Sequence, residues 1–384
     1  MCSENVCPGS TGERSEGLRS IHFILPGVSV RPVGGYKVVY EYANYLARKF
    51  SSSVSVYVDY VNFSKLSTLE RIPALGVVRS VAATSRGKLW RSFGKPWYRL
   101  ESGVHENVYW HFPDLHLSPD DVVVATSCHT VPFVTRSCKS SGASGLYFIQ
   151  HFEDWSAPRD FVESTWRAGL RNIVIAPWLE DIGHSLGVPV VLVPNAIDGS
   201  NFVCGPALRD RAPMVLAMIS PVPYKRADII EKAFALIHRL APDIRLGTFG
   251  VQQRPRSLPD YVAHTQQPSR AELVDLYQKA TVYMTASEAE GWHLPPAEAL
   301  LCGSSLVSSD IGGVRAYADG IARFVPVGDA ARLAHEAIIA CRELSDSQSR
   351  VDKGRARLLS YSPDDAAQRF SLECLKGNTR PSSL

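Results

Sequence analysis

The sequence predicts an α/β protein made of two doubly wound parallel-sheet domains that face each other across a cleft. Three observations predict it. Short apolar, β-rich runs recur along the chain, separated by helix-period stretches, as in parallel sheets covered on both faces. At 384 residues the chain is too long for one ordinary core. The alternation also starts afresh after "CGPALRDRAP", which reads as a linker between two series.

In the first series, "IHFIL" (21–25) is a short apolar run ending at Pro26 and reads as a buried strand. Gly34 and Gly35 break the chain. Val38, Val39, Tyr42, Leu46 and Phe50 then recur near helical spacing, and "VSVYVDY" is the next strand. Strand, glycine loop, helix and strand make a βαβ unit. From Lys65 to Leu117 no clear pattern emerges. "GKLWRSFGKPWYRLESG" is basic and aromatic, which fits either an irregular covering segment with arginines in water or a contact with an acceptor or a membrane surface. The runs "DVVVATS", "GLYFIQ", "NIVIAP" and "VVLVPN" restore the strand rhythm, and "FVESTWRAG" and "WLEDIGHSLG" read as helices closed by glycine.

In the second series the expected strands are "MVLAMIS", "IRLGTFG", "VYMTAS" and "SLVSSD". The expected helices are "RADIIEKAFALIHRLAPD", which must end before Pro242, "RAELVDLYQKA", "PPAEALLCG" and "DAARLAHEAIIACREL". The expected division is a disordered tail over 1–17, domains over 18–205 and 206–360, and a C-terminal helix and tail over 361–384 that packs back on the first domain. Tandem parallel sheets favour a ligand cleft at the carboxyl ends of their strands.

Composition narrows the function classes. Hydrophobic residues are 45% and charged residues 21%, the balance of a globular protein. A formal net charge of +3 over this length argues against nucleic acid as a partner and leaves room for an electropositive cleft taking a phosphorylated small molecule. No signal-peptide-like segment opens the sequence and no run of about 18 apolar residues occurs, so a cytoplasmic location is expected. The eight cysteines show no C-x-x-C pair and no ligand rhythm with histidine. Cys128, Cys138, Cys204, Cys302, Cys341 and Cys374 read as free thiols, Cys2 and Cys7 belong to the tail, and no metal trio is evident.

The chemistry concentrates in "SEAEGWHLPPAEALLCG", residues 287–303. Glu290 falls in the loop beyond a strand's carboxyl end, where open α/β sheets place functional groups. Pro295 and Pro296 suit the first turn of the next helix, with Glu298 in or just after it. Free amides from Gly291 to Leu294 then make a seat for a phosphate. Singly, Glu290 reads equally as a loop charge and Glu298 as a helix N-terminal carboxylate. Together they suit two hydroxyl clamps, since a carboxylate accepts two hydrogen bonds from a vicinal diol, each worth about 1.5–3 kcal/mol.

This stretch resembles the GT-B glycosyltransferases of the large retaining class called family 4 (glycosyl transferases group 1). Their hallmark is a glutamate, a glycine-aromatic-glycine-leucine-proline-like turn, and a second glutamate eight positions on, followed downstream by a glycine pair, here in "SSDIGGV". The resemblance implies a GT-B fold of two Rossmann-like domains with parallel sheets facing a central cleft. It implies that Glu290 faces the donor sugar, that Glu298 binds the nucleotide ribose, and that the amides of Trp292, His293 and Leu294 lie near the sugar and its phosphates. His293 stands where the family has its second glycine. Gly34 and Gly35 match the N-terminal glycine loop near the diphosphate and acceptor, although alone they read as a tight turn. "VPNAID" resembles the family's "PNGVD" element, with Asn195 and Asp198 structural or cleft-lining. "ISPVPYKRADIIEKAF" resembles the segment in which an arginine and a lysine hold the donor phosphates. Lys225 matches the lysine, Ser220 occupies the arginine's place, and the adjacent Arg226 is the candidate substitute. "LYFIQHFEDW" is reminiscent of rhamnosyltransferase-like members. It brings His151 near the donor or acceptor sugar and offers Glu153 or Asp154 as a base, or as helix caps with Trp155 as a packing residue. His129 in "ATSCHT" is either an acceptor-side group or a structural histidine.

The function so implied is transfer of a sugar from a nucleoside diphosphate sugar to an acceptor hydroxyl with retention. No cofactor is needed beyond the donor, whose dTDP, UDP or GDP form stays open. The acceptor is a glycan, a lipid-linked glycan or a small molecule, with peripheral membrane contact compatible. Two rivals stand beside it: a non-catalytic nucleotide-sugar-binding protein and a nucleotide-sugar epimerase of the same fold.

Overall fold

The computed structural model describes residues 20–27, 33–50, 53–59, 97–109, 112 and 114–376. The expected N-terminal tail with Cys2 and Cys7, the end of the C-terminal tail, and most of the basic aromatic stretch lie outside the described residues.

The first lobe contains β1 (Ile21–Leu25), α1 (Gly34–Phe50), β2 (Val54–Asp59), β3 (Val104–Tyr109), β4 (Val122–Ala125), α2 (Val131–Ser141), β5 (Ser144–Ile149), α3 (Arg159–Trp166), β6 (Arg171–Val174), α4 (Pro177–Ser185) and β7 (Val190–Leu192). The second contains β8 (Met214–Met218), α5 (Ala227–Leu240), β9 (Arg245–Gly250), β10 (Val262–Gln266), α6 (Arg270–Lys279), β11 (Val282–Thr285), α7 (Leu294–Leu301), β12 (Ser305–Ser309), α8 (Gly312–Ala318), β13 (Arg323–Val325), α9 (Ala330–Arg342) and α10 (Leu344–Leu359). α11 (Pro363–Leu375) follows. Among the described residues, seven strands form the first sheet in the order β3-β2-β1-β4-β5-β6-β7, and six form the second in the order β10-β9-β8-β11-β12-β13. Every recorded strand pairing is parallel.

The central strands are the continuous apolar runs. β1, β4 and β11 are buried at every position, because both faces of a parallel sheet are covered by helices. In both lobes the strand order reverses next to β1 or β8, the switch point where such sheets open a crevice at their carboxyl ends. α11 returns from the second lobe to the first. Phe370 is fully buried against Phe23, Tyr42 and Phe148, at ring-centroid separations of 5.8, 4.8 and 5.1 Å.

Gly34 and Gly35 differ from their reading as a loop, since they form the first turn of α1. The six cysteines within the described residues are free thiols, as expected. Burial pushes Cys128, Cys302 and Cys341 up to about 12. Among the described residues, no helix is long and apolar enough to cross a membrane.

Candidate active site between the lobes

The chain leaves β11 at its carboxyl end and reaches α7 through a turn that is locked from within. His293 caps α7 at φ 49°, a left-handed conformation that costs a non-glycine residue about 1–3 kcal/mol. Its imidazole Nε2 lies 2.9 Å from Thr285 Oγ1, and its carbonyl accepts a 3.0 Å hydrogen bond from Tyr317 OH. The side chain is only 1% exposed. Trp292 packs beside it with its ring centroid 4.5 Å from that of Tyr317. These contacts offset the backbone strain. Pro295 and Pro296 occupy the first turn of α7, where no amide donor is needed. Among the described residues, no backbone hydrogen bond engages the amides of Gly291, Trp292, His293 or Leu294.

Lys225 comes from the loop after β8, the strand paired in parallel with β11, at the same carboxyl edge of the second sheet. It ends a short 3-10 turn, Pro223–Lys225, beyond β8, and the Glu288 amide donates to the Tyr224 carbonyl at 2.8 Å. Lys225 Nζ forms an ion pair with Glu290 Oε1, with the two side chains 17% and 10% exposed. His293 Nδ1 lies 3.2 Å from the same oxygen, without hydrogen-bond alignment. Burial pushes the Glu290 carboxyl up, but His293, Lys225 and hydrogen bonds from Lys225 and Ser287 outweigh it, so the group sits below its ordinary range. Burial drives His293 down to about 4; Glu290 opposes this and Lys225 reinforces it. Glu290 is therefore a carboxylate and His293 neutral near pH 7.

The first lobe supplies the opposite wall. His151 follows β5, and its Nδ1 accepts the Glu153 amide at 3.0 Å, which leaves the proton on Nε2. That Nε2 is buried without a hydrogen-bond partner among the described residues. Burial lowers the His151 pKa against the pull of Glu290 and Asp154, while Lys225 adds to the lowering, and the His151 ring lies 5.9 Å from that of Trp178. Gly34 opens α1 so close to Leu294 that a Cβ there would meet Leu294 Cδ1 at 3.0 Å. The Gly35 carbonyl accepts from Gln150 Nε2 at 3.1 Å. Gly291 is required by close approach, because any side chain would strike the Gln150 carbonyl. Trp178 Nε1 donates to the Gly291 carbonyl at 2.9 Å, so both lobes grip the same turn.

Glu298 lies one turn into α7 and accepts from Tyr277 OH at 3.2 Å. Burial raises its carboxyl pKa against Lys37 of α1, the Tyr277 hydrogen bond and Arg270. The structure thus brings together Glu290, Lys225, His293 and His151, with Gly34, Gly35, Leu294 and Glu298 alongside.

Other expected site residues are held elsewhere. Arg226, also left-handed at φ 50°, is committed to Asp228 at 2.9 and 3.0 Å and to Glu288. Its guanidinium is engaged by carboxylates rather than standing free for a phosphate. Ser220 Oγ accepts the Val222 amide at 3.3 Å and shapes the turn before Lys225. Glu153 is not a free base: its carboxylate accepts the Cys128 amide at 2.6 Å, and burial raises its pKa. Asp154 is exposed. Asp198 caps a short 3-10 turn through the Ser200 amide at 2.9 Å, and Asn195 is buried. His129 is partly buried, with its ring 6.0 Å from Phe161. Among the described residues, no group of three or more His, Cys, Asp or Glu side chains is arranged to hold a metal ion. Two surface depressions, about 610 Å³ between α2 and α3 and about 510 Å³ beside β7 and α11, include none of Glu290, Lys225 or Glu298.

Sequence reasoning missed Lys37, Arg270, Trp178 and Tyr224. Lys37 follows the glycine pair by half a helical turn, a spacing that was visible. Trp178 carries no local signal, since its partner is Gly291, far along the chain.

The sequence profile of the glycosyl transferases group 1 matches residues 213–343, the lobe carrying Lys225, Glu290 and Glu298. Comparison with curated proteins finds no match. Sucrose-phosphate synthase from Thermosynechococcus elongatus is similar in structure with a TM-score of 0.67 at 15% identity, over 92% of this chain and 98% of that one. Anabaena HepE in complex with UDP and glucose aligns with a TM-score of 0.66 at 12% identity, over 92% and 99% of the two chains. A trehalose 6-phosphate synthase from Burkholderia multivorans aligns with a TM-score of 0.63 at 14% identity, over 93% and 96%. The chain has the two-lobed GT-B architecture of Rossmann-like domains expected from its sequence.

Proposed function

We propose that this protein is a glycosyltransferase that moves a sugar from a nucleoside diphosphate sugar to an acceptor hydroxyl with retention at the anomeric carbon. The observation that carries the reading is the buried Lys225–Glu290 pair, held beside the α7 N-terminus, with His293 Nδ1 3.2 Å from the same Glu290 oxygen. The profile match over this lobe supports it, as does the UDP and glucose bound by the similarly folded HepE.

In this reading the donor diphosphate lies at the α7 N-terminus, where the amides of Trp292, His293 and Leu294 and the helix dipole favour negative charge. Glu298 accepts hydrogen bonds from the ribose diol. Glu290 faces the donor sugar. The anomeric carbon–oxygen bond breaks, its electron pair goes to the departing phosphate oxygen, and the sugar becomes oxocarbenium-like. Lys225 and the amides stabilise the departing charge; losing one such preorganised donor typically slows turnover about 10²–10³-fold. The acceptor oxygen bonds to the anomeric carbon on the face the phosphate leaves, and its proton passes to that phosphate. Glu290, kept ionised by Lys225, orients hydroxyls and balances the positive charge on the sugar. His151 Nε2–H is a donor for a sugar oxygen on the first-lobe side.

Calorimetry with UDP-, GDP- and dTDP-sugars, followed by an assay for nucleoside diphosphate release, tests this reading. One donor should bind and be slowly hydrolysed without acceptor. Binding with no release, with or without acceptors, would instead identify a nucleotide-sugar sensor. Release accompanied by an epimerised sugar would identify an epimerase.

A further inference from the structure

Trp155 is 60% exposed, the most exposed aromatic side chain among the described residues. Scattered exposed aliphatics are ordinary, and Val203, Leu240 and Leu359 need no explanation. Trp155 differs in its position. It lies in the loop between β5 and α3, four residues after His151, with ring centroids 6.3 Å apart at 81°. Across the cleft its ring is 6.2 Å from Tyr224, the residue before Lys225. Lys225 Nζ in turn lies 5.4 Å from the Tyr224 ring centroid. An indole face thus stands in water at the mouth of the site described above, on the first-lobe side.

We infer that Trp155 is the stacking platform of an acceptor subsite for a pyranose ring; this rests on the transferase reading. The C–H face of a pyranose is apolar and its edges carry hydroxyls. A flat aromatic surface bordered by polar groups matches both properties. The border here includes the exposed Asp154. A lipid chain would need a deep apolar groove, which a single exposed face does not provide. Nor does the ring enter between Trp155 and Tyr224. Carbon contacts of about 3.5–4.0 Å on both sides would require the two aromatics to stand about 7–8 Å apart. The sugar therefore lies on the outer face of Trp155. The acceptor is accordingly a glycan end or another glycoside, rather than a ring-free alcohol.

The test is saturation-transfer NMR with a panel of methyl pyranosides, with glycerol as the ring-free control, on the wild type and on Trp155→Ala and Trp155→Phe. Titration of each protein with UDP, GDP and dTDP reports the donor side. At least one pyranoside should receive saturation on its ring C–H protons, and glycerol none. Trp155→Ala should weaken that binding about tenfold or more, as truncation of a Trp anchor commonly does. Trp155→Phe should keep most of it, and nucleotide affinity should stay within about twofold. Equal pyranoside binding by wild type and Trp155→Ala, or no pyranoside bound by the wild type, would overturn the inference. So would a parallel loss of nucleotide affinity in Trp155→Ala, which would make Trp155 a latch against Tyr224. If the wild type binds pyranosides through Trp155 but no nucleoside diphosphate, the transferase reading fails and the platform stands. If it binds a nucleoside diphosphate but no pyranoside, the platform alone fails.

Discussion

Replacing Lys225 by Met removes the charge beside Glu290 while keeping most of the stem's bulk. The two side chains are 17% and 10% exposed, so the abandoned carboxylate cannot fully rehydrate. Breaking a buried pair in this way typically costs about 3–5 kcal/mol. His293 modifies that figure. Its Nδ1 is 3.2 Å from Glu290 Oε1, and Lys225 is one of the influences holding it near 4, below its ordinary 6.5. A folded-state pKa below the unfolded value means that the wild type loses stability as pH falls from 6.5 towards 4, because the unfolded chain binds the proton first. Burial is the larger cause and remains, but without Lys225 the opposing charge is gone and Glu290 pulls harder on His293, so its pKa rises and that loss shrinks. The penalty for Lys225→Met should therefore be about 3–5 kcal/mol at pH 8 and smaller at pH 5.5, by at most about 1.4 kcal/mol, the worth of one pH step below the ordinary histidine value. Urea unfolding at the two pH values reads the difference, and NMR titration of the His293 imidazole should show its pKa rising. An equal penalty at both pH values with an unmoved His293 would refute the coupling.

Three further outcomes follow from the same geometry. Arg226→Ala should leave donor turnover within a few-fold of wild type, because the guanidinium is already engaged by Asp228 and Glu288; a loss of about 10²–10³-fold in an initial-rate assay, the scale of losing a preorganised donor, would contradict this. Glu298→Ala should weaken UDP binding about tenfold or more by calorimetry, since hydrogen bonds to a charged group contribute about 1.5–3 kcal/mol; unchanged affinity would remove Glu298 from the ribose. Phe370→Ala should cost about 3–5 kcal/mol in urea unfolding and leave UDP affinity intact, because the emptied space lies among Phe23, Tyr42 and Phe148, in the core of the first lobe.

The elements legible in the sequence were those whose neighbours are supplied on both faces. β1, β4 and β11 read as strands because burial demands an unbroken apolar run. The strands not anticipated are β3, β10 and β13, all at sheet edges, where most residues are less than fully buried and polar side chains interrupt the run. α2 was missed for a related reason: its second half, "RSCKSS", has no apolar stripe to betray it. At the site, the Glu290–Glu298 spacing and the proline pair were local and readable. The capture of Arg226 by Glu288 was not, since it spans 62 positions. Nor was the inward turn of His293, which depends on Thr285 and Tyr317 meeting it from separate elements. Trp155 looked like packing because sequence cannot say which side of a loop a ring will take.

The most direct measurement is a crystal structure of the protein with UDP bound. The diphosphate should lie at the N-terminus of α7, against the amides of Trp292 to Leu294, with Lys225 Nζ turned from Glu290 towards it and the ribose on Glu298. A diphosphate bound away from α7, with the Lys225–Glu290 pair undisturbed, would contradict it.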